Sequence, residues 1–280
     1  MVQTGEISPE YTIFNQRTAG YEAAHLLPHL EPGMRVVDCG CGAGSITLDL
    51  ATAASPGEVV AFDISPNAIE QATNLAKERG ITNVTWQVGD VYAPGIAEAS
   101  FDAAHFCGVL CHLPDPGRAL DVAYRLLKPG GVIALRDPYK GGDWMSGPFS
   151  EAIDELNRLI AAASAADGAD PMVGIRYPRL LREAGFSDLE LFPSYSRVFS
   201  QVANLAMAGR RSEDATFLNR IVSLGLATEE HVRGLAEPIR RWGESTDSLC
   251  GFAEITAIAW KREKAGSDDA RANDWRRHDR

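Results

Sequence analysis

Between residues 34 and 137, short runs rich in valine and isoleucine alternate with longer stretches of helical periodicity, and this alternation restricts the chain more than any other feature. "MRVVDCG" is patterned as a buried strand and "SITLDLATAA" as a helix. After the Pro56-Gly57 turn come a second strand, "EVVAFDI", and a helix, "SPNAIEQATNLAKERG", with Ser65 placed to cap it, Pro66 at its first position and Gly80 behind its end. "VTWQVGD" and "FDAAHFCGVL" continue as strands, "DPGRALDVAYRLLKPGG" as a helix with its stop, and "VIALRD" as a strand. Strands joined through helices need right-handed crossovers, hence a parallel sheet covered on both faces.

The flanking segments complete the expectation. Residues 11–30 carry Ala23, Ala24, Leu26, Leu27 and Leu30 at helical spacing before Pro32-Gly33, so 1–30 is expected as a helical lid segment. "RYPRLLREAGFSDLELFPSYS" is a short helix and a strand, and "GFAEITAIAWKRE" alternates as a last strand. The stretch 202–244 is helical in pattern, and 143–170 is expected as one helix plus a loop over the site. The fold class predicted is α/β, a doubly wound, Rossmann-like sheet of seven mostly parallel strands. The core takes 31–200 and 251–263, a helical cap at 201–250 is inserted before the last strand, and 264–280, dense in charge and poor in aliphatics, is expected to be disordered.

Composition narrows the partners. The 280 residues carry 38 acids against 27 bases, a net charge of −11, which disfavours attraction to nucleic acid or anionic membranes. No apolar run approaches the roughly 20 residues of a membrane span, and the opening residues lack a basic stretch followed by an apolar one, so a cytoplasmic protein is expected. Five cysteines are an odd number and do not read as a disulfide framework, which leaves reduced thiols.

The turn between the first strand and first helix is "VVDCGCGAGS", where Gly40, Gly42 and Gly44 let backbone approach a ligand at a helix N-terminus. Glycine there also serves a purely steric turn. The second strand, however, ends in Asp63, nineteen positions beyond Gly44, where a carboxylate accepts from ribose hydroxyls. A dinucleotide fingerprint would need glycine where Ser45 stands, and Asp38 ahead of the turn repels a pyrophosphate but suits an ammonium. The loop therefore points to a positively charged adenosine ligand.

Taken together, "VVDCGCGAGS", "VVAFDIS", "VGDVYA", "FDAAHFCGVLCHLPDP" and "LLKPGGVIALRD", in this order and spacing over 31–137, resemble the class I S-adenosylmethionine-dependent methyltransferases. Within them the chain looks most like the small-molecule group that includes the menaquinone and ubiquinone C-methyltransferases. The resemblance implies S-adenosyl-L-methionine as cofactor, S-adenosyl-L-homocysteine as product and a small-molecule methyl acceptor, and it is compatible with a homodimer. It implies that Asp38, Gly40, Cys41 and Gly42 meet the methionyl end, Asp38 reaching the ammonium through water or backbone. It further implies that Asp63 holds the ribose, Ile64 packs on adenine, Asp90 and the Val91 N–H read its edge, and Phe106 and Cys107 lie beside the methionine chain.

Transfer from a sulfonium needs chiefly alignment and exclusion of water. His112, on the carboxyl-end side of the sheet, is the candidate base, against a role in loop hydrogen bonding alone. Tyr11, Phe14, Tyr139, Trp144 and Arg176 are candidates to close over an acceptor, each with a structural alternative. His25 and His29 sit four apart, but no third ligand is evident and no metal is expected. Cys39, Cys41, Cys107 and Cys111 could gather near one another as in arsenite methyltransferases, or serve as small apolar residues. The competing functions are a non-catalytic protein that binds an S-adenosyl ligand, an arsenite-type enzyme and a NAD-dependent enzyme.

Overall fold

The computed structural model describes residues 17–195 and 213–262. Within them β1 (Val36–Cys39), β2 (Val59–Asp63), β3 (Val84–Val88), β4 (Phe101–Cys107), β5 (Leu127–Gly147), β6 (Ser187–Tyr195) and β7 (Leu249–Trp260) form one sheet in the order β3-β2-β1-β4-β5-β7-β6. The pairings among β1 to β5 are parallel, and β7 runs antiparallel to both β5 and β6. This is the expected doubly wound sheet of seven strands. Its order reverses between β1 and β4, and in open α/β sheets ligands bind at the carboxyl ends beside such a reversal.

Strand alternation divides the interior in two. Val37, Val60, Ala104, Ile133 and Leu135 face a core closed by α4 (Pro116–Leu126) and α6 (Tyr177–Glu183). Val36, Val59, Ala103, Val132 and Ala134 face the opposite core, closed by α2 (Ser45–Ala54) and the segment that begins with α1 (Ala19–Glu22). Helix α3 (Pro66–Arg79) starts and stops as its sequence predicts: Ser65 accepts from the Ala68 N–H at 3.3 Å, Pro66 follows, and Gly80 closes it at φ 67°. On α4, Asp115 caps through the Arg118 N–H at 3.0 Å.

Two expectations need correction. The 11–30 helix is, among the described residues, a single α-helical turn, α1, followed by a 3-10 turn, Leu27–His29, with Pro28 inside it lacking a donor. This segment is held from outside, since the Ala19 N–H donates to Asp49 of α2 at 2.8 Å. Secondly, α5 (Glu151–Ala166) shares one core with α7 (Ala215–Ser223), α8 (Glu229–Gly234) and α9 (Ala236–Glu244). Its Ile153, Leu156, Leu159 and Ala163 form the stripe that packs on Leu218, Ile221, Val232 and Ile239. The helical layer before β7 is thus built from two stretches of chain, not from 201–250 alone. Trp242 Nε1 ties the layer to the carboxyl end of β5 by donating to the Pro148 carbonyl at 2.5 Å. No described helix is long and apolar enough to cross a membrane.

Candidate active site

The glycine-rich turn is pinned to β2, because the N–H groups of Gly40 and Cys41 both donate to the Phe62 carbonyl, at 2.8 and 3.1 Å. Gly40, Gly42 and Gly44 all have positive φ, at 74°, 54° and 82°. Their surroundings differ. A Cβ at Gly44 would strike Trp86 and Ala72, and one at Gly40 would strike Val109, so both positions serve close packing. At Gly42 a Cβ would meet nothing within 4 Å, which leaves the backbone bare toward a cavity. Asp63 fixes the turn from the end of β2: one oxygen accepts from the Gly42 N–H and the other from the Ser65 N–H, each at 2.9 Å.

Two cavities flank this turn. One, of about 370 Å³, is walled by Asp63, Ile64, Asp90, Val91, Tyr92 and the turn after β4. The other, of about 330 Å³, is walled by the glycine turn together with Arg17, Asp38, His105 and Cys107. Gly40, Asp63, Gly108 and His112 belong to both walls. Of the residues named from sequence, Asp38, Gly40, Cys41, Gly42, Asp63, Ile64, Asp90, Val91, Cys107 and His112 therefore lie on the cavity walls. Asp90 is oriented by the Tyr92 N–H, which donates to it at 2.9 Å. His112 ends a 3-10 turn, Leu110–His112, whose Cys111 N–H is anchored on Asp137 at 3.1 Å.

Other expectations fall elsewhere. Phe106 lies on neither wall; it is 1% exposed in the core beneath α4, because alternation along β4 puts it opposite His105 and Cys107. Tyr139 and Arg176 also line neither cavity, and Arg176 pairs with Asp170 on the surface. Tyr11 and Phe14 lie outside the described residues, and of Trp144 only the backbone is described, paired with Phe252.

A buried polar layer that sequence spacing did not single out borders the second cavity. Asp38 accepts from Thr47 Oγ1 at 2.5 Å with one oxygen and lies 2.8 Å from His105 Nδ1 with the other. Next to this pair, Glu22 accepts from Arg17 at 3.1 Å and forms an ion pair with Arg136 at 3.0 Å, and Arg136 also pairs with Glu254. Burial pushes the Glu22 carboxyl up, but the Arg17 hydrogen bond and the charges of Arg17 and Arg136 outweigh it and hold it below its ordinary value. For Glu254 burial wins over Arg136, and its carboxyl titrates high. Burial above all drives His25 down to about 3. The thiols move the other way: burial raises Cys39 and Cys41, and takes Cys107 to about 12 despite Arg17. Such thiols are poor nucleophiles and poor soft-metal ligands. Among the described residues no three His, Cys, Asp or Glu side chains are grouped to hold a metal ion.

Comparison with known proteins gives a consistent picture. A methyltransferase-domain family model matches residues 30–185. "Probable methyltransferase ltbC" of Aspergillus luteorubrus is 28% identical over 269 residues, which are 88% of this chain and 92% of that protein. Trans-aconitate 2-methyltransferase of Methylobacterium radiotolerans is 31% identical over 221 residues, 77% of this chain and 78% of that one. Among solved structures, phosphoethanolamine N-methyltransferase 2 of Haemonchus contortus, bound to phosphomonomethylethanolamine and S-adenosylhomocysteine, superposes with a TM-score of 0.54 at 20% identity. That match covers 87% of this chain and 53% of the other, and it speaks to the fold.

Proposed function

Since the chain belongs to the methyltransferase-domain family and is an S-adenosylmethionine-dependent methyltransferase, we propose that its acceptor is a small molecule, methylated on an O, N or C nucleophile brought up to His112. The supporting observation is the wall shared by the two cavities. An S-adenosyl compound has a nucleoside half and an amino-acid half joined at sulfur, and its two halves match the two cavities. The sulfur then comes to the shared wall, where His112 stands. When bound, S-adenosylmethionine supplies an electrophilic methyl group on a positive sulfur, so the residues of this chain have only to bind, orient and exclude water.

The residues present fit that ligand. Each Asp63 oxygen spends one lone pair on a backbone N–H and keeps another for a ribose hydroxyl. Asp90, held by the Tyr92 N–H, and Val91 wall the cavity for the nucleoside half, and covering adenine would bury Ile64, which is 74% exposed. Gly40, Cys41, Gly42 and Cys107 surround the amino-acid half, with Arg17 as a cation for its carboxylate. Asp38 stands behind His105 on the same wall. The layer of α5 and α7 to α9 hangs from the carboxyl end of β5, the end of the sheet where the cavities open, and is placed to select the acceptor. The relative named for trans-aconitate sets a precedent for an acceptor of that size.

The test follows transfer of a labelled methyl group from S-adenosylmethionine into a panel of small organic acids, phenols and amines. Wild-type protein should label at least one acceptor, and H112Q should lower the rate about 10²-fold or more while S-adenosylhomocysteine affinity stays within about twofold. Full activity of H112Q removes the base. Tight S-adenosylhomocysteine binding with no acceptor labelled favours the non-catalytic alternative.

A further inference from the structure

Among the described residues, His105 is one of five with a buried side-chain polar atom that has no hydrogen-bond partner. It interrupts the apolar strand β4, is 1% exposed and forms part of the wall of the cavity beside the glycine turn. Its Nδ1 lies 2.8 Å from Asp38, whose other oxygen is taken by Thr47, while its Nε2 is buried with no hydrogen-bond partner among the described residues. An unpaired buried nitrogen is destabilising and calls for a partner, and of the five residues with such an atom among the described residues, His105 alone lies on the wall of either cavity.

The tautomer follows from the partner. A carboxylate can only accept, so Nδ1 carries the hydrogen of the contact with Asp38, and in that tautomer Nε2 is the acceptor of the ring. The complementary ligand group is a donor. Asp38 is 2% exposed, with Thr47 and the ring on its two oxygens, so the charge it contributes bears on the cavity chiefly through the imidazole.

We propose that Nε2 of His105 accepts a hydrogen bond from the ammonium of the amino-acid end of the bound S-adenosyl compound, with Thr47 and Asp38 fixing the ring. The reading rests on placing that end of the cofactor in the cavity beside the glycine turn. It assigns the ammonium to an Asp-His pair reaching in from β1 and β4, where sequence alone pointed to Asp38 through water or backbone.

The test is a calorimetric titration of wild-type and H105N protein with three ligands. They are S-adenosylhomocysteine, its deamino analogue, and 5′-methylthioadenosine, which keeps the nucleoside and sulfur but lacks the amino-acid end. Asparagine preserves an N–H toward Asp38 and removes Nε2. H105N should bind S-adenosylhomocysteine about tenfold or more weakly, and both other ligands within about twofold of wild type. In wild-type protein the deamino analogue should be at least about tenfold weaker than S-adenosylhomocysteine, a measurement that needs no variant. Parallel losses for all three ligands would mean a purely structural histidine, and unchanged affinities would mean no contact; either overturns the inference. If wild-type protein binds neither S-adenosylhomocysteine nor 5′-methylthioadenosine, the cofactor site itself has been misplaced, a different failure.

Discussion

On the face of the sheet beneath α4 and α6, apolar side chains continue to the carboxyl ends through Phe62, Phe106 and Leu135, and the next polar residue, Asp137, is closed off by the fold. Tyr177 donates to one of its oxygens at 2.5 Å and the Cys111 N–H to the other at 3.1 Å. On the opposite face the same strands pass from Val36, Ala103, Ala134 and Ile258 to Asp38, His105, Arg136, Thr256 and Glu254, all less than a tenth exposed. Burial is similar on the two faces. What differs is completion: Asp137 has both oxygens satisfied from within, whereas the polar layer leaves His105 Nε2 over and opens onto a cavity. A closed polar group holds the turn that carries His112, and an open layer is directed at a ligand.

The sharpest way to break this contrast is R136M. Methionine would leave Glu254 without its cation and strip one of two from Glu22, and breaking a buried pair in this way costs roughly 3–5 kcal/mol. Urea unfolding should show that loss, and adding E254L should recover part of it by removing the stranded carboxylate. A loss under about 1 kcal/mol would make the layer equivalent to solvated surface. On the closed face Y177F should cost less, about 1–3 kcal/mol, since Asp137 loses one donor and keeps the Cys111 N–H. S-adenosylhomocysteine affinity should then stay within about twofold. A larger drop in affinity would make the closed face part of the binding site.

The same contrast explains what could be read in advance. Strand and helix alternation, the Ser65-Pro66 start and Gly80 stop of α3, and the glycine turn ahead of Asp63 are local patterns, and the structure carries them as patterned. The polar layer depends instead on register: Asp38 stands opposite His105, Cys107 opposite Arg136, and Arg136 opposite Thr256, pairings that no spacing within one segment reveals. A signal was present, since "FDAAHFC", "VIALRD" and "FAEITAIAW" each place a polar residue on the parity of a buried apolar one. That parity also puts Phe106 in the core. Over 17–30 the expected helix gives way to short turns, because helical spacing says nothing about which contacts hold a segment, and this one is docked through Ala19, Arg17 and Glu22.

The smallest expected effect probes that docking through pH. Burial above all lowers His25 to about 3, while an unfolded histidine titrates near 6.5. Between those values the unfolded chain binds a proton that the folded chain refuses, so stability rises with pH through this window. The contribution is complete above about 6.5 and is lost progressively as pH falls toward 3. From pH 7.5 to 6.0 the loss attributable to this one residue is on the order of 1 kcal/mol. H25F should be less stable at both pH values, having lost the imidazole's backbone contact, but its change between them should be smaller than that of wild type by about that amount. Identical pH dependence in the two proteins would place His25 in water-like surroundings and overturn its burial in the N-terminal segment.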